Sequence, residues 1–139
     1  MDDLDHRLVA RLRHDGRASV ASLSQSLGVS RGTITNRMAK LEHDGVIVGY
    51  TVRLRPDASP DEIRAWTSIA VKGNQHSVIR ALLGEPGVAE LHDTNGRWDL
   101  VAELRVGGLA ELSKVLERIR TIPGISGSET SVHLQTFRG

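Results

Sequence analysis

Residues 19–41, SVASLSQSLGVSRGTITNRMAKL, constrain the fold more than any other stretch, because they contain the start and stop signals of two short helices. Ser19 and Ser30 stand where an N-cap is favoured, and Gly28 stands where a helix ends in a left-handed residue. From Arg17 to Leu41 there are four basic residues and no Asp or Glu. This pattern predicts a helix-turn-helix whose surface suits phosphate groups.

Apolar residues at helical spacing extend this helix pair to a three-helix core. Leu4, Leu8 and Leu12 recur every four residues and predict a first helix over residues 2–14, which Asp15-Gly16 ends. The second and third helices are expected to bury Leu23, Leu27, Ile34, Met38 and Leu41. The three apolar stripes together can close a small trihelical core.

The outer face of the predicted third helix carries no acidic residue before Glu42 and no long apolar side chain. In a recognition helix the first residues approach base edges and later basic residues contact phosphates. A merely solvated face is the alternative for any single residue, but solvated helices usually alternate charge sign. We predict base contacts from Arg31, Thr33 and Asn36, backbone contacts from Ser22, Arg37 and Lys40, close approach at Gly32, and further DNA-binding positions at Ser30 and Thr35.

Charge divides unevenly along the chain. Residues 1–55 carry nine Lys or Arg and six Asp or Glu, a net charge of +3, whereas residues 56–139 carry nine and eleven, a net charge of −2. A chance fluctuation over so few charges is the alternative interpretation. The asymmetry indicates that only the first part contacts a polyanion such as double-stranded DNA.

Composition excludes several classes of protein. The chain has no cysteine, which excludes a disulfide scaffold, a thiolate metal site and a cysteine nucleophile. No apolar run approaches the roughly 20 residues of a membrane helix, and the acidic first residues are unlike a signal peptide. We therefore expect a cytoplasmic protein with no membrane partner.

Residues 46–54, VIVGYTVRL, have the β-branched density of a strand and predict a wing or a hinge. Residues 55–61, RPDASPD, form the most turn-rich stretch of the chain. The predicted division is a winged helix-turn-helix domain with a hinge strand over residues 1–55, a linker over residues 56–64 and a second domain over residues 65–139.

The second domain alternates predicted strands and helices. We expect strands over residues 65–72, 88–94, 98–106 and 128–137, and helices over residues 75–83 and 109–120. A weak repeat of glycine, helix and Pro-Gly supports two strand-helix-strand units, a ferredoxin-like βαββαβ arrangement in an α+β protein. Two helices cover only one face of a four-stranded sheet, so the other face predicts at least a dimer.

Short motifs along the whole chain match one family in order and spacing. They include Leu4-Asp5, Asp15-Gly16-Arg17, Leu27-Gly28-Val29-Ser30, Gly45-Val46-Ile47, Gly49-Tyr50 and Gly96-Arg97-Trp98-Asp99-Leu100. On these residues the chain resembles the leucine-responsive regulatory protein/AsnC-type, or feast/famine, transcription regulators.

The resemblance implies a winged helix-turn-helix, a ferredoxin-like domain that binds a small effector, usually an amino acid, and dimers that assemble to tetramers or octamers. It places the effector near the loop of residues 94–99 and the last strand. By position it implies effector contacts from Thr94, Asn95, Gly96, Arg97, Asp99 and Thr130. Asp99 could hold an ammonium group and a glycine loop could hold a carboxylate. A plain hairpin turn at Gly96 and a solvated Asp99 are the alternatives.

Three functions remain open at this stage. The leading hypothesis is a ligand-responsive, sequence-specific DNA-binding regulator of transcription, with no cofactor or metal. An architectural, nucleoid-type DNA-binding protein without an effector is the alternative. An enzyme is not expected, because no catalytic motif stands out and the six histidines lack metal-ligand spacing; only His92 and His133 could meet on neighbouring strands.

Overall fold

The computed structural model describes residues 1–138, and the side chain of Pro56 and the last residue, Gly139, which ends the predicted second domain, lie outside the described part. The chain divides into two compact units, Met1–Arg53 and Leu54–Gly139. Each unit has its own apolar core. The boundary between Arg53 and Leu54 lies near the end of the predicted hinge strand, just before the turn-rich stretch of residues 55–61.

The first unit contains the three predicted helices: α1 (Asp3–His14), α2 (Val20–Leu27) and α3 (Arg31–His43). Ser19 and Ser30 are the N-caps of α2 and α3, as predicted, and Gly28 ends α2 with φ 71°. Asp2 caps α1, and Asp2 and Asp5 form a reciprocal capping box in which each carboxylate accepts from the other residue's backbone N–H.

One apolar stripe from each helix fills the core of the first unit. Leu8 and Ile34 are completely buried, and Leu23 is almost so. The remaining buried apolar residues of this core are Leu12, Leu27 and Leu41, with Met38 among those packed against them. The stripes therefore lie where the helical spacing predicts them.

Residues 46–54 do not form the predicted strand or wing. After α3 the chain passes through a turn and then runs without strand pairing in the described structure. Ile47 is half-buried against the core of the first unit, but the other large apolar side chains of this segment are exposed, and Val48 keeps 93% of its surface accessible. A strand needs a hydrogen-bonded neighbour, and the first unit consists otherwise of helices, so β propensity alone leaves this connecting segment unpaired.

The second unit has the predicted βαββαβ order. Its elements are β1 (Ile63–Val71), α4 (Gln75–Leu83), β2 (Val88–Asp93), β3 (Leu100–Val106), α5 (Leu109–Arg120) and β4 (Ile125–Val132). The strands form one sheet in the order β2-β3-β1-β4, and every neighbouring pair is antiparallel. The fold class is therefore α+β, with a helical helix-turn-helix unit and a ferredoxin-like unit.

All four strands differ from their predicted bounds, β2 only in that it ends at Asp93 rather than at residue 94. β1 begins at Ile63, inside the predicted linker, and β3 begins at Leu100 rather than at residue 98. β4 runs from Ile125 to Val132, although the prediction placed it at residues 128–137. The neighbouring strand explains this shift, because Val71 pairs with Ile125 at one end of β1 and Ala65 pairs with Val132 near the other.

Alternation along the strands gives the sheet two different faces. Ala65, Thr67 and Ile69 of β1 are buried on the face that packs with α4 and α5, together with Leu100, Ala102 and Leu104 of β3. On the opposite face Trp66 is 56% exposed at the middle of the sheet. The helices thus cover one face, and the face that carries Trp66 is open.

Candidate DNA-binding surface and effector loop

The outward surface of α3 consists of residues from its first three turns. Burial of Ile34 and Leu41 fixes the rotation of the helix, so the residues opposite them face solvent. The exposed members are Arg31, Gly32, Thr35, Asn36, Ala39 and Lys40. We call these six residues the outer face of α3. It contains two cations, one amide and one hydroxyl, and no carboxylate.

Ser30, the N-cap of α3, forms hydrogen bonds with both the backbone and the side chain of Thr33. The Ser30 hydroxyl accepts the backbone N–H of Thr33 at 3.1 Å, and the two side-chain oxygens lie 2.8 Å apart. Thr33 is half-buried. Of the residues predicted to contact bases, Thr33 is therefore engaged at the start of its own helix, whereas Arg31 and Asn36 are exposed.

Arg37 is engaged within the first unit. Its guanidinium donates to the carboxylates of Asp2 and Asp5 at the start of α1, and the contact to Asp5 measures 3.2 Å. The Asp5 side chain is only 12% exposed. Arg37 therefore links α3 to α1, although the sequence predicts that it contacts the DNA backbone.

This ion-pair network shifts the charge equilibrium of Asp2. The hydrogen bond from Arg37, aided by the backbone N–H of Asp5, lowers the pKa of Asp2 to about 2. The two carboxylates in turn raise the pKa of Arg37. The start of α1 thus remains charged, and bound to α3, at every pH well above 2.

The remaining predicted position of the helix-turn-helix is Ser22 in the first turn of α2. Its side chain is exposed, and its backbone N–H donates to the Ser19 hydroxyl at 3.0 Å. Between the helices, the Ser24 hydroxyl donates to the carbonyl oxygen of Val29. This bond spans the turn at Gly28 and ties the end of α2 to the segment that leads into α3.

Tyr50 anchors the connecting segment to the end of α3. Its hydroxyl donates to a Glu42 carboxylate oxygen at 2.8 Å, and this bond raises the pKa of Tyr50. The backbone N–H groups of Val46 and Ile47 both donate to the carbonyl oxygen of Leu41. The start of the connecting segment is therefore held even though the segment has no strand partner.

In the second unit, residues 94–99 form a closed loop between β2 and β3. The Thr94 hydroxyl donates to the carbonyl oxygen of Trp98 at 2.6 Å and accepts from the Gly96 backbone N–H at 3.2 Å. Asn95, Gly96 and Arg97 are exposed at its tip. We call these six residues the 94–99 loop.

Two side chains of the loop, those of Asp99 and Arg97, make defined contacts with their neighbours. An Asp99 carboxylate oxygen accepts the backbone N–H of Val71, at the end of β1, at 2.8 Å. The guanidinium carbon of Arg97 lies 5.4 Å from the centroid of the Trp98 ring, which is cation–π distance. The loop therefore has an anchored base and an exposed, cationic tip.

Thr130 lies apart from this loop, on β4. It pairs with Thr67 of β1, and the two hydroxyl oxygens are 3.0 Å apart. Because Thr67 is completely buried on the face covered by helices, Thr130 points toward the same face. The described chain thus brings five of the six predicted effector residues together in one loop and leaves Thr130 elsewhere.

His92 and His133, which could have met only on neighbouring strands, lie on opposite edges of the sheet. His92 lies on β2 at one edge of the sheet, and His133 follows β4 at the other. Residues 1–138 contain no cluster of three His, Cys, Asp or Glu side chains that could hold a metal ion. None of the helices in that range is long and apolar enough to cross a bilayer.

A helix-turn-helix unit followed by a ferredoxin-like unit defines a class of two-domain DNA-binding regulators. Comparison with known families agrees with this class. A model of the AsnC-type helix-turn-helix domain matches residues 1–42, and a model of the Lrp/AsnC ligand binding domain matches residues 65–138. The chain belongs to the Lrp/AsnC family of transcriptional regulators.

Individual relatives support the same assignment. The chain is 30% identical to the HTH-type transcriptional regulator FL11 of Pyrococcus horikoshii, over 99% of this chain and 92% of that protein. Its structure is similar to that of AsnC from E. coli, with a TM-score of 0.84 and 26% identity over 100% of this chain and 95% of that one.

A feast or famine regulatory protein of M. tuberculosis, Rv3291c, solved in complex with L-methionine, is also similar. Its TM-score is 0.86 at 28% identity, over 99% of this chain and 95% of that one. Helix-turn-helix DNA binding and a ligand-binding domain are thus family properties that this chain shares.

The ion pairs at Arg37 predict an acid-sensitive first unit. Because the folded-state pKa of Asp2 is about 2, below its ordinary value of 3.8, the stabilisation is complete above pH 4 and is lost as the pH falls toward 2. Asp2→Asn should weaken this pH dependence, and Arg37→Ala should lower stability at neutral pH. Urea unfolding followed by the NMR signals of α1 measures both effects.

Arg7→Ala is the matched control, because the ion pair that Arg7 makes within the described residues is with the exposed Asp3, at 3.9 Å in the same helix. It should leave stability at neutral pH almost unchanged. Equal losses from Arg7→Ala and Arg37→Ala would contradict the structural role of Arg37.

Proposed function

We propose that this protein is a sequence-specific DNA-binding transcription regulator whose DNA binding or assembly responds to a small effector, an amino acid. The observation that supports the DNA-binding part most directly is the outer face of α3. This face presents cations, an amide and a hydroxyl, with no carboxylate. Its helix lies within the region that matches the AsnC-type helix-turn-helix domain.

We assign a smaller set of residues to DNA contacts than the sequence alone suggests, based on which side chains are exposed and not already bonded. Arg31, Thr35 and Asn36 are exposed at the N-terminal half of α3, where a recognition helix meets base edges. Lys40, one turn later, and Ser22, on α2, are assigned to phosphates. We assign Thr33 and Ser30 to the helix N-cap and Arg37 to the link with α1, because their side chains are already bonded there.

We assign Gly32 to the DNA-binding surface because of its small size. A Cβ at this position would meet only the Ser30 hydroxyl, at 3.9 Å, so nothing within the unit requires a glycine. Glycine inside a helix costs about 1 kcal/mol relative to alanine. Close approach of the first turn of α3 to DNA is a use that would offset this cost.

The effector proposal rests on the 94–99 loop and on relatives. Rv3291c was solved in complex with L-methionine, and so was the Neisseria meningitidis regulator NMB0573, which is 18% identical and shares the fold. In this chain the loop exposes Asn95 and Arg97, groups that suit the polar ends of an amino acid. We therefore assign the effector contacts to this loop, with an amino acid as the ligand class.

We also propose a homodimer, whose dimers assemble further to a tetramer or octamer. The open sheet face carries Trp66 at its centre, 56% exposed, with the His133 ring 5.4 Å away in an edge contact. A second copy would cover this face and would also supply the second helix-turn-helix that paired half-sites need. The exposed apolar side chains of residues 46–54 offer a second surface for the same partner.

An architectural DNA-binding protein without an effector is the second candidate. It would use the same outer face of α3 for phosphate contacts and would show little preference among sequences. The two candidates differ in two properties, sequence preference and ligand binding, and each can be measured separately.

The DNA assignment predicts different effects for two substitutions on α3. Asn36→Ala should weaken binding to a duplex selected from random sequences by about 1–3 kcal/mol and relax base preference at one position. Lys40→Ala should weaken binding to all duplexes alike and reduce the salt slope by about one unit. Fluorescence anisotropy on selected and scrambled duplexes at several salt concentrations tests both.

Lys114→Ala, which removes an exposed lysine from α5 of the other unit, is the control for charge. It should leave the affinity for both duplexes unchanged. Identical effects of Asn36→Ala and Lys40→Ala on the selected and scrambled duplexes would show that the assigned orientation of α3 is wrong.

The effector assignment predicts a thermal shift. An amino acid that binds only the folded state should stabilise the protein by about 2.7 kcal/mol at a concentration one hundred times its Kd. A screen of the protein amino acids by thermal unfolding should therefore raise Tm for one ligand or a small chemical group of ligands. A protein with an unchanged Tm across the whole screen would favour the architectural candidate.

A further inference from the structure

The 94–99 loop is closed by its own first residue. The Thr94 backbone N–H donates to the carbonyl oxygen of Asp99 at 3.1 Å, and the Thr94 hydroxyl donates to the carbonyl oxygen of Trp98. The same hydroxyl accepts from the Gly96 N–H. A hydroxyl has one proton to donate, so Thr94 has none left for a ligand in this arrangement.

Asp99 fastens the closed loop to the rest of the sheet. Its carboxylate accepts the Val71 N–H at 2.8 Å, and Asp99 is half-buried. Val71 lies two residues beyond Ile69, whose pairing with Leu100 is the last of the β1–β3 ladder. The Val71 N–H therefore has no backbone acceptor in that ladder, and the carboxylate of Asp99 provides one.

The end of β1 is itself well fixed. The Lys72 N–H donates to the carbonyl oxygen of Gly124 at 2.8 Å, and Gly73, with φ 93°, leads into the Asn74 N-cap of α4. The bond from Val71 to Asp99 therefore ties the loop to a rigid point of the unit. Displacing it would leave a half-buried N–H without an acceptor.

We propose that Thr94 and Asp99 are positioning residues of the effector loop and do not bind the effector directly. The groups that determine specificity are then the exposed side chains of Asn95 and Arg97 at the tip. This inference rests on the proposed function of the loop. It reverses the simplest expectation for Asp99, namely that its negative charge holds the ammonium group of an amino acid.

Charge and hydrogen bonding can be separated at Asp99. Asparagine keeps a side-chain oxygen that can accept the Val71 N–H but has no negative charge, whereas alanine has neither. A positioning residue should therefore tolerate Asp99→Asn and not Asp99→Ala. An ammonium ligand should be damaged by both substitutions.

The first measurement needs no ligand. Hydrogen exchange followed by NMR should show the Val71 amide of Asp99→Asn exchanging within about threefold of wild type, and that of Asp99→Ala at least about tenfold faster. Asp93→Asn and Asp93→Ala, at an exposed acid before the same loop, should both match wild type. Equal Val71 exchange in wild type and Asp99→Ala would overturn the anchoring role.

The second measurement uses L-methionine first and then the other protein amino acids, titrated by calorimetry. For any amino acid that binds wild type, Asp99→Asn should keep the affinity within about threefold, and Asp99→Ala should lose at least about tenfold. An Asp99→Asn variant that binds as weakly as Asp99→Ala, with Val71 still protected, would make Asp99 a ligand and overturn the proposal.

Thr94 provides an independent pair of variants if Asp99→Ala does not fold. Thr94→Ser keeps the hydroxyl and should keep the Gly96 amide protected, whereas the nearly isosteric Thr94→Val should expose it to exchange. Equal Gly96 exchange in both variants would overturn the closure of the loop. Failure of every amino acid to bind wild type would contradict the effector proposal alone, because the exchange measurements still decide the anchoring roles.

Discussion

Burial of one apolar stripe decides which residues of α3 can contact DNA. Ile34 is completely buried and Leu41 nearly so, and these two residues set the rotation of the helix about its axis. The link between Arg37 and the capping box of α1 holds the same orientation from the polar side. Because the inward face is fixed by packing and by charge, the outward face presents Arg31, Thr35 and Asn36 together.

The chemistry of the two units suits two different proposed roles, DNA binding for the first unit and assembly and ligand binding for the second. The first unit concentrates positive charge and hydrogen-bonding side chains on one helix. Such a helix suits double-stranded DNA, which offers phosphates and the hydrogen-bonding edges of its bases. The second unit encloses its apolar core on one side of a sheet and leaves the other side open around Trp66. That open face can join copies of the chain, and a polar loop at the sheet edge can respond to a ligand.

Local signals in the sequence predicted most of the fold. Ser19, Ser30 and Gly28 placed the helix ends correctly because a cap is a local hydrogen-bonding requirement, and α4 and α5 have the predicted bounds. Strands depend on their neighbours, so β4 covers the residues that pair with β1, from Ile125 opposite Val71 to Val132 opposite Ala65. Residues 46–54 form no strand without a partner. The content of β-branched residues alone could not predict the bounds of β4 or the lack of a strand at residues 46–54.

The sequence predicted candidate site residues from their positions in the chain, but it did not predict their hydrogen-bond partners. Arg37 is bonded to Asp2, which lies 35 positions away in the sequence, and Asp99 is bonded to a backbone N–H on another strand. Such pairings arise only when the chain folds. The one sequence signal that could have indicated the first pairing is the acidic start of α1, which needs a cation nearby once Asp5 is buried.

Selection of duplexes from a fully randomised library by the full-length protein tests the central claim most directly. If the outer face of α3 contacts bases in a paired regulator, one motif should be enriched, with two related half-sites whose centres lie about 10 base pairs, or a multiple of that, apart. Enriched duplexes should bind at least about a thousandfold more tightly than scrambled ones at physiological salt. Recovery of unrelated sequences that all bind with one affinity would contradict the account.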